Sequence, residues 1–257
     1  MKNLKGKIVL ITGATSGIGK ASAYKFAELG CDLVLAARRE ERLEKISEEL
    51  KTKFGIDVLT KILDVRSFED VKNMTDGLDG KWRKIYLLLN NAGLARGMSS
   101  VKDGSVLDWN EMIDTNVKGL LYVSKCIIPL MLDNKEGHVI NIGSIAGREV
   151  YPNGNVYAGT KHAVDAITKS MRMELLDSPV RVSTIDPGLV ETEFSVVRHR
   201  GDEEKAKLTY EGYKPLTPED IAEAVIFAAT RNDNFVVADM VLFPKAQAGV
   251  RDVFRKV

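Results

Sequence analysis

The chain has 257 residues, of which 44% are apolar and 28% are charged. This length suits one large α/β domain, and the apolar content is high enough to bury a full core, which argues against wholesale disorder. Lys plus Arg (37) nearly balance Asp plus Glu (36), so no basic excess exists to release counterions, which argues against a protein held to nucleic acid mainly by phosphate contacts.

Short β-branched runs alternate with longer helical patterns, which predicts a parallel sheet with helices on both faces. Several strand candidates, such as IVLI and YLLL, are apolar at nearly every position, as expected of strands covered on both faces. The predicted strands are Lys7–Thr12, Asp32–Ala36, Asp57–Ile62, Ile85–Asn90, His138–Gly143, Arg181–Asp186 and Val236–Phe243. The predicted helices are Gly17–Gly30, Glu40–Phe54, Ser67–Gly77, Asp108–Leu132, Val156–Leu176 and Pro218–Thr230. The sequence therefore predicts a single doubly wound (Rossmann) α/β domain over residues 1–257.

Two helix starts carry capping signals. Ser67 precedes Asp70 by three positions, and Thr217 precedes Asp220 by three, with Pro218 at the first helical position. A hydroxyl at the N-cap with an acid at N3 satisfies free N–H groups of the first turn.

The least regular stretch lies just before the last predicted helix. Residues 193–216 are charged, contain Arg198, His199 and Arg200, and interrupt the alternation of strands and helices. A loop of this length in a compact domain is usually disordered or functional. Because it follows the carboxyl end of a strand, where ligands bind in such sheets, we predict a substrate lid over about residues 189–216. The alternative is a solvated charged excursion.

The loop after the first strand has the composition of a phosphate-binding turn. TGATSGIG (residues 12–19) stands between a strand and a helix, so its glycines permit a tight turn close to a pyrophosphate. The helix N-terminus adds free N–H groups and a partial positive charge. We therefore predict a dinucleotide site that includes Gly13, Thr15, Ser16, Gly17, Ile18 and Gly19.

The end of the second strand indicates which dinucleotide is bound. An NAD site usually places an acid about 20 residues downstream, where it accepts from the ribose 2′-hydroxyl. This chain has Arg38 and Arg39 there instead, and guanidinium groups pair well with a 2′-phosphate. The sequence predicts NADP as the cofactor, unless the two arginines only open a charged helix and face water.

Two later strand ends complete the predicted cofactor site. Asp64 and Val65 can bracket an adenine, although Asp64 would serve almost equally well as a cap of the following turn. Asn91, Ala92 and Gly93 follow the fourth strand, where small residues would let a ribose lie close. The alternative for these three is a plain Asn-rich turn.

Four polar residues form a candidate catalytic set. Tyr157 and Lys161 lie four positions apart on one helix face, and a phenol of pKa about 10 needs roughly 2–3 units of depression to act as a base near neutrality. An adjacent ammonium and an oxidised nicotinamide could supply that depression. Ser144, after the fifth strand, could donate to a carbonyl oxygen that gains charge. Asn116 lies in an apolar helix and could hold a proton-relay water to Lys161.

The N-terminus and the cysteines bear on the compartment. The run Ile8–Ile11 is shorter than the ~7–15 residues of a signal-peptide core, and no stretch approaches the ~18–20 apolar residues of a membrane span. Cys31 and Cys126 are too few for a disulfide framework and lack metal-ligand spacing. We expect a soluble cytoplasmic protein with no bound metal, whose partners include neither membrane nor nucleic acid.

As a set, these motifs resemble the short-chain dehydrogenase/reductase family over essentially the whole chain. TGATSGIG, NNAG (90–93), Asn116, Ser144, Tyr157 with Lys161 and DPG (186–188) occur in the family's order and spacing. The resemblance implies that Tyr157 is the general acid/base and that Ser144 orients the substrate oxygen. It also implies that Lys161 lowers the tyrosine pKa and binds the nicotinamide ribose, and that Asn116 completes a proton relay.

The resemblance has two further implications. A segment after the sixth strand would wrap the nicotinamide through Pro187, Gly188, Val190 and Thr192. Family members are mostly homotetramers, with the helices that carry Asn116 and Tyr157 at the interfaces.

Within the family, three segments are similar to the NADP-dependent 3-hydroxy acid dehydrogenases acting on serine, allo-threonine and small 3-hydroxy acids. They are VYAGTKHAVDAITKSMRMEL, PGLVETEFSVVRHRGDEEKA and FPKAQA. Such a substrate would meet Ser144 and Tyr157, and its carboxylate needs a cation, for which Arg148, Arg198 and Arg200 are candidates. Another carbonyl reductase of the same fold, for a 3-oxoacyl thioester, a sugar or a steroid, is the first alternative. A non-catalytic dinucleotide sensor is remote, because Ser144, Tyr157 and Lys161 are all present.

Overall fold

The computed structural model describes residues 2–256, in which seven strands form one wholly parallel sheet. In chain order the strands are β1 (Ile8–Thr12), β2 (Asp32–Ala37), β3 (Val58–Ile62), β4 (Ile85–Asn90), β5 (Gly137–Ile142), β6 (Val180–Pro187) and β7 (Asp239–Leu242). Their spatial order is β3-β2-β1-β4-β5-β6-β7, so the direction of winding reverses between β1 and β4. The predicted seven-stranded doubly wound sheet is confirmed. In such sheets ligands bind outside the carboxyl ends of the strands at this reversal.

Helices cover both faces of the sheet. They are α1 (Gly17–Glu28), α2 (Glu40–Phe54), α3 (Phe68–Asp76), α4 (Val106–Ile113), α5 (Leu120–Asp133), α6 (Asn155–Glu174), α7 (Glu193–Arg198), α8 (Glu203–Leu208) and α9 (Pro218–Ala229). Within residues 2–256, no helix has both the length and the apolar character needed to cross a membrane.

The buried side chains of each central strand alternate between two apolar layers. In β1, Val9 and Ile11 pack with α1, α2 and α9, whereas Ile8 and Leu10 pack with α3, α5 and α6. Successive strand residues point to opposite faces, so a strand covered on both sides is apolar at every position. This explains the uninterrupted run IVLI.

The last predicted strand is shorter and more exposed than its sequence indicates. β7 covers only Asp239–Leu242, and its residues alternate between exposed and half-buried positions. It lies at the edge of the sheet, where it pairs with β6 alone. The strand predicted over Val236–Phe243 is present but shorter, because apolar composition does not show where an edge strand begins and ends.

The long helix predicted over Asp108–Leu132 is interrupted. Between α4 and α5 the backbone forms a π-helical stretch over Asp114–Gly119 that contains Asn116. Such π-turns within helices occur frequently at functional sites. The chain remains helical through this stretch. Its wider turn changes which residues before and after Asn116 lie on the same face of the helix.

The irregular segment 189–216 contains two short helices, α7 and α8, that the sequence analysis did not predict. The Thr192 hydroxyl caps α7 by accepting from the Phe194 N–H at 3.1 Å, and the Asp202 carboxylate caps α8 by accepting from the Lys205 N–H at 3.1 Å. The ends of the segment meet, since the Leu216 N–H donates to the Leu189 carbonyl at 3.1 Å. The two ends of the segment are therefore adjacent, so it leaves the carboxyl edge of the sheet and returns to the same place.

Candidate active site

A cavity of about 730 Å³ lies at the carboxyl ends of the strands. This volume is within the ~300–1,000 Å³ range of small-molecule sites. Most of the predicted site residues line it: Gly13, Thr15, Ser16, Gly17, Ile18, Arg38, Arg39, Asp64, Val65, Asn91, Ala92, Gly93, Ser144, Tyr157, Lys161, Pro187, Gly188, Val190 and Thr192. Gly19, Asn116, Arg148 and Arg200 are outside the lining.

Asn91 holds the glycine-rich loop in place. Its Nδ2 donates to the carbonyls of Thr12 at 2.9 Å and Gly13 at 3.2 Å. A Cβ atom on Gly19 would lie 2.4 Å from that Nδ2 and 2.5 Å from the Gly13 oxygen, so no larger residue fits there. Gly13 itself has a φ of 64°, which favours glycine. The absence of a side chain at Gly19 thus lets the Asn91 amide and the Gly13 carbonyl lie close to it.

The arginines at the end of β2 lie beside the glycine-rich loop. Arg38 and Arg39 are both exposed and both line the cavity. Arg39 donates to the Thr15 hydroxyl through Nε at 3.2 Å and Nη2 at 3.0 Å, and to the Ser16 hydroxyl at 2.9 Å. The guanidinium of Arg39 is therefore hydrogen-bonded to the predicted phosphate-binding loop. Arg39 does not only precede α2 and face water.

Asp64 takes part in a turn as well as in the cavity wall. Its carboxylate accepts from the Arg66 backbone N–H at 3.1 Å and from the Arg66 Nε at 2.9 Å, and these bonds lower the pKa of Asp64 against the effect of burial. The capping role weighed as an alternative is thus present. Contact of Asp64 and Val65 with an adenine remains a prediction.

Tyr157 and Ser144 are neighbours in the cavity lining. Tyr157 lies in the first turn of α6, and Ser144 follows β5, where its Oγ accepts from the Ala146 N–H at 3.1 Å. Burial raises the pKa of Tyr157 above its ordinary value, and the charge of Arg198 and the hydrogen bond with the Ser144 side chain offset only part of this rise. Donation from the Ser144 hydroxyl to a substrate oxygen remains a prediction.

Lys161 is buried and already has a hydrogen-bond partner. Its Nζ donates to the Ile142 carbonyl at 2.8 Å. Burial lowers the pKa of Lys161 to about 8, and the charge of Asp186 acts in the opposite direction. The family resemblance gave Lys161 the task of lowering the Tyr157 pKa. That role of Lys161 remains a prediction, and Arg198 is another cation whose charge lowers the Tyr157 pKa.

Asn116 lies behind the cavity wall. Its Oδ1 accepts from the Leu94 N–H at 2.8 Å, and its Nδ2 donates to the Leu94 carbonyl at 2.8 Å and to the Thr160 hydroxyl at 3.0 Å. A Cβ on Gly93 would lie 3.4 Å from Asn116 Oδ1 and 3.8 Å from Lys161 Nζ, so both side chains adjoin the same glycine. Asn116 joins the loop after β4 to α6, and its place in a proton relay remains a prediction.

Arg148 is not available to a substrate, which corrects the sequence-based assignment. Its Nε and Nη2 donate to Asp186 Oδ2 at 2.9 and 2.6 Å, and Asp239 and Asp165 lie 3.7 and 3.9 Å from Nη2. These carboxylates hold the guanidinium outside the cavity lining. Arg200 also points elsewhere, because it pairs with Asp108.

Arg198 is an arginine that packs on the ring of Tyr157. Its guanidinium carbon lies 4.9 Å from the centre of the Tyr157 ring and 5.2 Å from that of Phe194. Nη2 donates to the Tyr151 hydroxyl at 3.2 Å, whereas Nε is buried without a hydrogen-bond partner among residues 2–256. A buried N–H that lacks a partner is costly unless a ligand satisfies it.

Several residues of the lining were not predicted from the sequence. Tyr151 comes from the loop before α6, and the others come from the segment 189–216 and from the tail after β7, among them Glu193, Phe194, Tyr210, Gln247 and Arg251. These stretches show no strand or helix periodicity that would place them at the site. The only usable signal was the position of the segment after a strand end.

Comparisons with known proteins agree with this geometry. Residues 7–203 match the family model described as short chain dehydrogenase. The chain is 45% identical to the NADP-dependent 3-hydroxy acid dehydrogenase of Schizosaccharomyces pombe, over 100% of this chain and 99% of that protein. It is 40% identical to sulfoacetaldehyde reductase 2 of Chromohalobacter salexigens, over 94% of this chain and 95% of that protein.

A solved structure described as the closed form of serine dehydrogenase complexed with NADP+ superimposes with a TM-score of 0.90. The two chains are 41% identical, and the match covers 97% of this chain and 100% of the other. The chain belongs to the short-chain dehydrogenase/reductase family.

Proposed function

We propose that the protein is an NADP-dependent oxidoreductase that transfers a hydride between the nicotinamide and the 3-hydroxyl or 3-keto group of a small 3-hydroxy acid. The observation that carries the substrate class is Arg198, a cation with an unpaired buried N–H that packs on the catalytic tyrosine. The names of similar proteins, an NADP-dependent 3-hydroxy acid dehydrogenase and a serine dehydrogenase complexed with NADP+, support the same proposal.

The chain has groups suited to each part of the dinucleotide. The glycine-rich loop and the start of α1 would hold the pyrophosphate, and Arg38 and Arg39 the 2′-phosphate. Asp64 and Val65 would flank the adenine, and the segment from Pro187 to Thr192 would lie along the nicotinamide. When bound, the nicotinamide supplies the hydride acceptor or donor.

Tyr157 would move the proton that accompanies the hydride. In the oxidative direction the substrate hydroxyl loses its proton to the Tyr157 phenolate, while the carbon-bound hydrogen leaves with both electrons. In the reductive direction Tyr157 protonates the oxygen after hydride arrives. Ser144 donates to the same oxygen and stabilises the charge that develops on it. The positive charge of Arg198 opposes the effect of burial, which raises the Tyr157 pKa.

Arg198 would orient the substrate by its acid group. A carboxylate accepting from the free Nε makes a charge-assisted hydrogen bond, which is about twice as strong as a neutral one. Because the guanidinium lies over the Tyr157 ring, it would hold the carboxylate near the reacting hydroxyl. A plain alcohol lacks this interaction.

The test of this function is Arg198→Gln, with Arg200→Gln as the matched control. Loss of a hydrogen bond to a charged group costs about 1.5–3 kcal/mol, so we expect KM for serine or 3-hydroxyisobutyrate to rise roughly 10- to 100-fold in Arg198→Gln. KM for an uncharged alcohol should change little. Arg200 is outside the lining, so its substitution should leave both values unaltered. An unchanged KM for the acids in Arg198→Gln would favour another carbonyl reductase of this fold.

We also propose that residues 189–216 act as a substrate lid on one NADP-binding domain spanning residues 1–257. The segment is joined at its two ends and brings Phe194, Arg198 and Tyr210 into the cavity lining, as a lid would.

We propose that the protein forms a homotetramer and that it acts in the cytoplasm. Partly or largely exposed apolar side chains on α5 and α6, such as Leu121, Leu132 and Met173, support helix-to-helix interfaces. A single-chain mass by light scattering would contradict this assembly.

A further inference from the structure

Glu193 links the segment 189–216 to the predicted 2′-phosphate site. It is the first residue of α7 and lines the cavity. Its Oε2 accepts from Arg39 Nη1 at 2.9 Å, and its Oε1 accepts from Arg42 Nη1 at 2.7 Å. Both oxygens of this carboxylate are therefore bound to arginines at the start of α2.

Arg39 is shared between the glycine-rich loop and Glu193. Its Nε and Nη2 donate to Thr15 and Ser16, which leaves the Nη1 group for an anion, and Glu193 occupies that group. A phosphate paired with Arg39 would need the same N–H groups. Two anions that meet at one guanidinium repel each other, so the carboxylate and the phosphate compete.

The opposite end of the same helix reaches the catalytic tyrosine. α7 runs from Glu193 to Arg198, a rise of about 8 Å at 1.5 Å per residue. Arg198 stacks on Tyr157, and Thr192, just before the helix, would lie 3.3 Å from a Cβ on Gly17. One short helix thus connects the cofactor's phosphate end with the substrate's acid end.

We propose that Glu193 is a cofactor-specificity residue whose carboxylate, held by Arg39 and Arg42, exchanges with the 2′-phosphate of NADP(H) on Arg39. It occupies the arginines of the free enzyme and lowers affinity for NADP(H) but not for NAD(H). When the 2′-phosphate displaces the Glu193 carboxylate at one end of α7, the binding of the cofactor affects Arg198 at the other end. This inference rests on the proposed role of Arg38 and Arg39 in binding the 2′-phosphate.

The test is cofactor binding by the full-length enzyme and its Glu193→Gln variant. Dissociation constants for NADPH and NADH are measured by calorimetry at low and high salt, without substrate. Loss of one or two exposed ion pairs corresponds to about a three- to tenfold change, so we expect NADPH to bind that much more tightly to Glu193→Gln. NADH should bind within about twofold of its original affinity, and added salt should reduce the gain for NADPH.

Glu203→Gln is the matched control. Glu203 is the first residue of α8, just as Glu193 is the first residue of α7, and its side chain is exposed and makes no ion pair within residues 2–256. The substitution removes the same charge from the same position of a helix of equal length. It should leave both dissociation constants unchanged.

Arg39→Gln separates failure of this inference from failure of the proposed cofactor site. If Arg39→Gln weakens NADPH and NADH equally, the 2′-phosphate assignment itself is wrong. If Arg39→Gln weakens NADPH selectively, but Glu193→Gln leaves NADPH affinity unchanged or lowers it, the exchange is refuted while the cofactor site stands.

Discussion

Arg148 and Arg198 show where residue-level prediction succeeds and where it stops. The sequence singled out both as cations near the strand ends, but it could not rank them. Their difference comes from distant partners: Asp186 and Asp239 neutralise Arg148, whereas the Nε of Arg198 meets no acceptor among residues 2–256. Pairings between residues far apart in the chain cannot be deduced from local spacing. Ser144, Tyr157 and Lys161 were predictable because their motifs follow strand ends or share a helix face.

The burial of Lys161 predicts how the free energy of unfolding depends on pH. Its pKa is about 8 in the folded protein, against an ordinary value of 10.5. Between these values the unfolded chain binds more protons than the folded one, so the Lys161 contribution to the free energy of unfolding rises with pH. Below pH 8 the ammonium is charged in both states, and the full cost of burying the charge applies.

Comparison with Lys161→Met isolates this contribution. The stability of the original protein relative to Lys161→Met should increase by up to about 3 kcal/mol between pH 8 and pH 10.5. Urea unfolding of both proteins at several pH values measures the difference. Parallel pH profiles would show that Lys161 does not titrate in this range.

At the scale of elements, helix caps were predicted correctly where the capping residue precedes a proline or a helix with a clear hydrophobic period. The predicted cap of α3 is present, with the Ser67 hydroxyl accepting from the Asp70 N–H at 3.2 Å. The caps of α7 and α8 have the same chemistry in Thr192 and Asp202, but these helices are too short to show a hydrophobic period. The π-helical stretch around Asn116 left no readable signal, because each of its residues is also acceptable in an α-helix.

The start of α9 provides an element-scale prediction. Thr217 accepts from the Asp220 N–H at 3.2 Å, and Asp220 in turn accepts from the Thr217 N–H at 2.7 Å. Thr217→Ala removes the first of these bonds and should lower the free energy of unfolding by about 1 kcal/mol. Thr217→Ser keeps a capping hydroxyl and should cost only a few tenths of that amount. Equal losses in the two variants, measured by urea unfolding, would show that the cap contributes nothing.

At the scale of the whole molecule, the topology explains why the motifs meet. The glycine-rich loop, the arginine pair, Asn91, Ser144 and Gly188 each follow a different parallel strand, so they collect at one edge of the sheet. A parallel sheet with helices on both faces was predictable from the alternating pattern of strands and helices. The packing of segment 189–216 and the tail over this edge was not, because neither stretch has a period that fixes its direction.

The central claim is that Tyr157 carries the proton in an NADP-linked oxidation of small 3-hydroxy acids. The measurement that tests it is the rate of NADP reduction with serine, allo-threonine, 3-hydroxyisobutyrate, 3-hydroxybutyrate and plain alcohols, for the original enzyme and Tyr157→Phe. We expect turnover of at least one of the acids, far less with the plain alcohols, and a loss of about 10²- to 10⁴-fold in Tyr157→Phe, with NADPH affinity changed no more than a few-fold. Turnover by Tyr157→Phe at the original rate, or oxidation of none of the acids, would contradict the claim.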